Sequence, residues 1–359
     1  MALGLQPHTK NMFRKFAESI SPSRDRAGYW EINRYDQPAP VDYLNDPVFL
    51  DFYRHSLTDS VQAWDPDNDG FMESPPENGI RGIPTYWEGE GPRAITGADL
   101  VAAQFAANLA FSMILALRGE LGEAETFAVT AKRLEEIYNR DWWNPETQRF
   151  NTAILPDGTF DTSPLPLGQL YPLFFGIVRD GPRRRAMVEE LPNGEMVELN
   201  AYFPEILYRN GDYQGAFQSL LVQLDPALSR REYPEVSYTA VGYIVSFLMG
   251  VRSLASQGVV ETKSRLSEEI RWAEVSNVPI TGNEISVKHI GGAETHLRNE
   301  TGEALIWRAV FDGEHLGGYV NGRPLASSHR RADGEGVESF LEVTVAPGEE
   351  VVVSVGERG

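Results

Sequence analysis

Thr96 to Gly119 reads TGADLVAAQFAANLAFSMILALRG. Asp99 follows Thr96 at the spacing of a capping box, and Arg118 before Gly119 is a stop, so the pattern predicts one helix here. Its interior, Leu100, Val101, Phe105, Leu109, Phe111, Met113, Ile114 and Leu115, is apolar nearly all round, which requires burial on most sides. Gln104, Asn108 and Ser112 are the exceptions; recurring at four-residue steps, they form one polar stripe. The next helix, expected over 122–140, carries Phe127, Ala131, Leu134 and Tyr138 on one face and Lys132, Arg133, Glu135 and Glu136 elsewhere, so it belongs on the outside. An all-round apolar helix joined by a short turn to a one-faced helix is what two concentric rings of antiparallel helices produce. The expected architecture is therefore an α/α toroid, with an irregular helical array as the alternative that composition leaves open.

The pattern extends in both directions. Asp46-Pro47 is a helix start, and Phe49, Phe52, Tyr53, Leu57, Val61 and Trp64 follow at helical spacing, delivering the chain to Asp65. Downstream, helices are expected over 165–178, 182–190, 203–209, 213–223 and 237–256, the last again apolar on every side. Residues 257–277 read as a connector, after which the period changes. Runs at 284–289, 304–309, 340–345 and 351–355 are β-branched or alternating, bounded by turn signals such as Asp312-Gly313 and Asn321-Gly322. The expected organisation is a mainly α, toroid-like domain over 1–277 followed by a small antiparallel, β-sandwich-like domain over 278–359.

Composition limits the chemistry. A formal charge of −20 repels polyanions, so nucleic acid and anionic membranes are not expected partners. With no cysteine there is no thiol nucleophile, disulfide or zinc–thiolate site. Only His8 and His55 precede the β region, so metal–histidine and histidine-dependent nucleophilic sites lack parts. No signal peptide is visible at the N-terminus, which favours a cytoplasmic location as the expectation.

Three segments carry candidate chemistry. In Trp64-Asp65-Pro66-Asp67-Asn68-Asp69-Gly70-Phe71-Met72-Glu73, carboxylates alternate ahead of a glycine, a spacing that can converge on a hard cation. Asp65, Asp67 and Asp69, the Phe71 carbonyl and Glu73 are the expected ligands and calcium, in a structural role, the expected ion. Pro76 stands where the bidentate glutamate of a calcium loop would be, and a solvated turn capped by its own Asp side chains is an equal reading. In residues 84–91, Tyr86 and Trp87 adjoin Glu88 and Glu90. An indole can stack on a sugar and hold a neighbouring carboxyl protonated, although packing aromatics beside solvated glutamates is the plainer reading. In residues 230–238, Glu232 and Glu235 precede the second apolar helix; in a toroid this loop would face the Glu88 loop across one funnel. Pairing with Arg230 or Arg231, or compensation of the helix start, is for one of the two at least as good a reading as catalysis.

These residues resemble those of the six-hairpin glycosidases, whose catalytic domain is an (α/α)6 toroid. The 64–70 segment is similar to an Asp-rich, glycine-ended loop of several such families. Thr85-Tyr86-Trp87-Glu88 is similar to an element that carries the general acid in some of them, with the order of acid and Trp reversed. Trp142-Trp143-Asn144-Pro145 to Phe150, then Leu155-Pro156-Asp157-Gly158, is similar to their inter-helix hairpin, and Tyr233-Pro234-Glu235 with Ser237-Tyr238-Thr239 to one of their late helices. The resemblance implies hydrolysis of O-glycosyl bonds in a neutral oligosaccharide or glycoside by a carboxyl pair, in a family left unassigned. Glu88 would be the acid and Glu235, or failing that Glu232, the base, with Glu90 a further candidate acid. Trp64, Tyr86 and Trp87 would stack on substrate and Gln104 and Asn108 would bind its hydroxyls. A full toroid has more helices than the roughly ten legible here, which implies an abbreviated member, a homo-oligomer, or a companion chain that completes the wall. The alternatives are a noncatalytic carbohydrate-binding or scaffold protein that retains the fold, and a lyase or epimerase built on it.

Overall fold

The 96–119 stretch forms helix α1, Ala98–Leu117, directly after a two-residue strand β1, Thr96–Gly97. Thr96 does not cap the helix. It pairs with Ile154 in a sheet and its hydroxyl donates to the Met72 carbonyl, while Gly97 takes the N-cap position. The structure is a computed structural model; it describes residues 54, 58–59, 61–73, 94–163, 166–179, 181–191, 197–229, 234–254, 257–332 and 336–356. Two compact units divide the chain, one running to Asn193 and the other from Gly194.

In the first unit α1 packs against α2, Leu121–Asp141, and α3, Pro166–Phe175. Phe111 of α1 meets Phe127 of α2 nearly edge-on, with centroids 4.8 Å apart, inside a cluster with Ile114, Leu115 and Ala124. Between α2 and α3 lie two small hairpins: β2, Trp143–Asn144, with β3, Arg149–Phe150, and β4, Ala153–Ile154, with β5, Phe160–Asp161. They close an aromatic nest at the end of α2, where Tyr138 stacks on Phe150 at 4.9 Å and Trp142 meets Phe160 at 5.3 Å. α4, Gly181–Glu189, follows. By length and composition α1 alone, among the described residues, could cross a membrane, and more than half of it is buried inside the unit. Its remaining surface is an apolar stripe of Leu109, Met113 and Leu117.

The second unit starts with short helices, α5, Val197–Asn200, α6, Phe203–Arg209, α7, Tyr213–Leu224, and α8, Pro234–Tyr243. The helix expected to reach 256 ends early. α8 widens into a π-helical turn, Ile244–Leu248, and strand β6, Arg252–Leu254, begins four residues later. Residues 257–277 are not a connector, because β7, Val259–Lys263, and most of β8, Trp272–Ile280, lie there. After them come β9, Asn283–Ile290; β10, Glu294–Thr301; β11, Leu305–Asp312; β12, Gly317–Val320; β13, Arg323–Ala326; β14, Ser328–Arg331; β15, Val337–Val345; and β16, Glu350–Ser354. The β region is thus substantial rather than small: a six-stranded sheet, β13-β12-β16-β10-β9-β8, and a five-stranded sheet, β14-β15-β11-β7-β6. All its strand pairs are antiparallel except β7 with β11. Inward residues of both sheets, among them Ile285, Val287, Leu297, Trp307, Phe311, Leu341 and Val353, share one core, which Val245, Met249 and Val251 join from the end of the π-helix. Among the described residues the helices close no ring, so the toroid expectation reduces to a predominantly helical region followed by a large β region.

His289 is fully buried; burial pushes its imidazole down to about 4. Its neutral ring donates from Nε2 to the Met249 carbonyl and accepts at Nδ1 from the Thr295 hydroxyl, tying helix end to sheet. The turn between them depends on Gly250. Its φ is +57°, and a Cβ there would lie 2.7 Å from the Lys263 amide nitrogen, against backbone that has no room to move. Gly250→Ala is therefore expected to destabilise the second unit by about 3 kcal/mol or more, read as a lower urea midpoint at unchanged slope.

Candidate functional site

The acidic segment at 64–73 is the best-formed candidate in the described residues, and it is held from three sides. The backbone closes it, with the Glu73 amide donating to the Trp64 carbonyl at 2.6 Å. From α1, Gln104 Nε2 donates to the Gly70 carbonyl at 2.8 Å, and from α2, Arg133 donates to the Asp69 carbonyl. Phe71, buried, meets Trp142 edge-on at 6.4 Å, which anchors the loop on the aromatic nest. Asn68 at φ +60° and Gly70 at φ +92° supply the two left-handed residues that fold the three acids back on themselves.

Each aspartate satisfies a backbone donor. Asp65 Oδ2 accepts from the Gly70 amide at 3.0 Å, Asp67 Oδ1 from Asp69 at 3.0 Å and Asp69 Oδ1 from Phe71 at 2.7 Å. That is the self-capped turn. The same fold also brings one oxygen from each of the three carboxylates within 4.8 Å of the others, a spacing that could hold a metal ion. Asp65 Oδ1 is buried and accepts no hydrogen bond in the structure, nor does Gln104 Oε1. The electrostatics match crowded anions. Burial, then Asp67, Asp69 and Asp65, push Glu73 up to about 7, and burial raises Asp69 against the pull of the Phe71 amide.

A divalent cation would relieve this crowding. Because the raised Glu73 binds its proton more tightly in the folded chain than in the unfolded one, the loop costs stability progressively as pH rises from about 4.5 to about 7. A divalent cation bound here is expected to raise Tm more at pH 8 than at pH 5.5, with EDTA reversing it and Asp65→Asn abolishing it; the check is a thermal melt of each at both pH values, with calcium and magnesium in turn.

The remaining sequence candidates fall in different places. Gln104 and Asn108 are both buried on α1; Gln104 braces the loop, and Asn108 Nδ2 donates to the Gln104 carbonyl at 2.7 Å. Ser112 donates to the Leu109 carbonyl, so the polar stripe is engaged within the first unit. Trp64 is half-buried at the mouth of the acidic segment. Tyr86, Trp87, Glu88, Glu90 and Glu232 lie outside the described residues, as does the Glu235 side chain, although its backbone belongs to the first turn of α8. Arg133 and Trp142 were not legible as parts of the site. Arg133 reads as a solvated charge on an outer helix, and only the fold brings it under the acidic loop.

No family model matches the sequence, and no curated protein matches it. Solved structures do. The chain superposes on a family GH78 rhamnosidase of Bacillus sp. GL1 with a TM-score of 0.53 and 14% identity, covering 74% of this chain and 29% of that one. It superposes on an α-L-rhamnosidase from Dictyoglomus thermophilum with a TM-score of 0.59 and 10% identity, covering 98% and 44%. The fold is shared with glycoside hydrolases. A protein named sialidase gives a TM-score of 0.54 at 13% identity, over 93% of this chain and 34% of its own. The chain therefore spans less than half the length of each of these three proteins.

Proposed function

We propose that this chain is the helical and β portion of a glycoside hydrolase that cleaves an O-glycosyl bond in a neutral oligosaccharide or glycoside. The observation that carries the reading is the similarity to two rhamnosidase structures, at TM-scores of 0.53 and 0.59, over most of the chain. In this reading Glu88 is the general acid and Glu235, or failing that Glu232, is the general base, with Glu90 the reserve acid. Tyr86, Trp87 and Trp64 stack on the sugar. A carboxyl separation of about 6.5–9.5 Å gives inversion and about 5–5.5 Å gives retention. The helical region is the remnant of an (α/α)6 toroid of the six-hairpin kind, and calcium occupies the Asp65–Asp69 loop in a structural role.

The exposed stripe Leu109, Met113 and Leu117 on α1 supports a companion chain or a second copy as the missing wall, since an inner helix of a toroid is covered on all sides. The second reading is a noncatalytic carbohydrate-binding or scaffold protein that keeps the fold without the catalytic pair.

A panel of aryl glycosides, headed by the α-L-rhamnoside, tests both. Turnover of one neutral glycoside supports the hydrolase. Binding of that sugar without turnover supports the second reading.

A further inference from the structure

We propose a carbohydrate surface on the outer face of the six-stranded sheet at its β8 edge, made of residues other than those of the acidic loop and of the proposed carboxyl pair. Ala273 and Val275 of β8 pack into the sandwich core, so strand alternation turns Trp272 and Glu274 to the opposite face. Trp272 is 58% exposed. Register places Ile290 beside it, and sets Lys288 and then His296 beside Glu274 on successive strands. The Lys288 ammonium stands 5.1 Å from the centre of the Trp272 ring and 3.9 Å from the Glu274 carboxylate. His296 lies between Glu294 at 2.8 Å and Glu350 at 3.3 Å.

A single exposed hydrophobic residue is ordinary on a protein surface; what distinguishes Trp272 is its setting, an indole beside Ile290 with the Lys288 ammonium over its ring and the Glu274 carboxylate paired to that ammonium. That setting selects the kind of occupant. Among the described residues the ladder sets one apolar residue, Ile290, directly beside Trp272, with the Lys288–Glu274 ion pair next to it, so this edge lacks the continuous apolar centre a protein interface needs. A planar ring beside donors and acceptors held by their own ion pairs suits a pyranose: C–H groups lie on the indole, and hydroxyls meet Lys288, Glu274 and His296. The row from Trp272 to His296 crosses two strand spacings, about 10 Å, room for one or two sugar rings. Glu274, Glu294 and Glu350 here, and a formal charge of −20 overall, make the ligand a neutral glycan rather than an acidic one.

Affinity electrophoresis of the full chain through gels containing xyloglucan, arabinoxylan, galactomannan or mixed-linkage β-glucan, with polygalacturonate as the acidic comparison, tests this. Retardation by at least one neutral polysaccharide is expected. Trp272→Ala should weaken it by roughly tenfold or more, and Trp272→Phe should retain part of it. Thermal melts of both variants should match the parent, because the replaced ring is outside the core. No retardation by any neutral polysaccharide, or equal retardation of Trp272→Ala, overturns the proposal. Aryl-glycoside turnover, measured alongside, should be the same in Trp272→Ala as in the parent, so loss of the hydrolase reading and loss of this one are separate results.

Discussion

Glu88→Gln is expected to lower turnover of a glycoside with a poor leaving group by about 100- to 10,000-fold, and to spare one with a good leaving group. A glutamine fills the same space but has no proton to give. The penalty therefore falls on the step in which the departing oxygen needs one, and a dinitrophenolate, stable as an anion, does not. Glu235→Gln should behave differently. As the proposed base or nucleophile it acts on every substrate, so both leaving groups slow alike, and in Glu235→Ala, where the shortened side chain leaves a space, added azide restores turnover. If Glu232 holds that role instead, the same signature moves to Glu232→Gln and Glu235→Gln is near wild type. Identical behaviour of all three variants and the parent on both leaving groups would remove the carboxyl-pair assignment while leaving the fold relationship intact.

The parts of this molecule that could be read in advance are those whose physics is local. The apolar girth of 98–117 demanded a buried helix and the one-faced pattern of 121–141 an outer partner, and these two pack as a hairpin. The acids at 65, 67 and 69 converge because Asn68 and Gly70 turn the chain, which their spacing announces. What escaped depended on distant partners. Thr96 has a capping residue's chemistry, yet it is drawn into a strand by Ile154, 58 positions on. Val259 to Lys263 is too short and too charged to read as a buried strand; its Glu261 and Lys263 are buried because Arg330 and Glu338 come from elsewhere to meet them. Gln104 and Asn108 looked available to substrate because a polar stripe on a buried helix must face something polar. The partners are the Gly70 carbonyl and the helix's own backbone.

That buried charge network is where removing one charge should cost the second unit most. Arg330 donates two hydrogen bonds to Glu261, at 2.7 and 3.0 Å, and one to Glu338 at 2.8 Å; both carboxylates are buried. Burial alone would raise Glu261, but the Arg330 fork, with Arg252 and Arg308 behind it, holds it below the usual glutamate range. Arg330→Met keeps the aliphatic stem of the side chain and removes the fork. Glu338 retains Lys263 at 2.7 Å, whereas Glu261 is left with Arg308 at 3.5 Å and Arg252 at 3.8 Å, neither in hydrogen-bond reach. With Arg308 and Arg252 still close to Glu261, the cost falls short of the roughly 3–5 kcal/mol of a fully unpaired buried carboxylate; about 2–3 kcal/mol, the worth of the lost charge-assisted hydrogen bonds, is expected at pH 7 in urea unfolding. The sign with pH follows from the lowered folded value. Glu261's contribution in the parent is complete above the ordinary glutamate range and drains away as pH falls through its folded value. In the variant the carboxylate gains by taking up a proton, so the gap between the two proteins should narrow below about pH 5. Arg330→Met combined with Glu261→Gln should recover part of the loss at pH 7, because the amide carries no charge to strand. A deficit that stays constant from pH 7 to pH 4, or a double variant no better than the single one, would place the cost in lost packing of the Arg330 side chain over Phe340, whose ring centre lies 5.9 Å from its guanidinium, rather than in the orphaned charge.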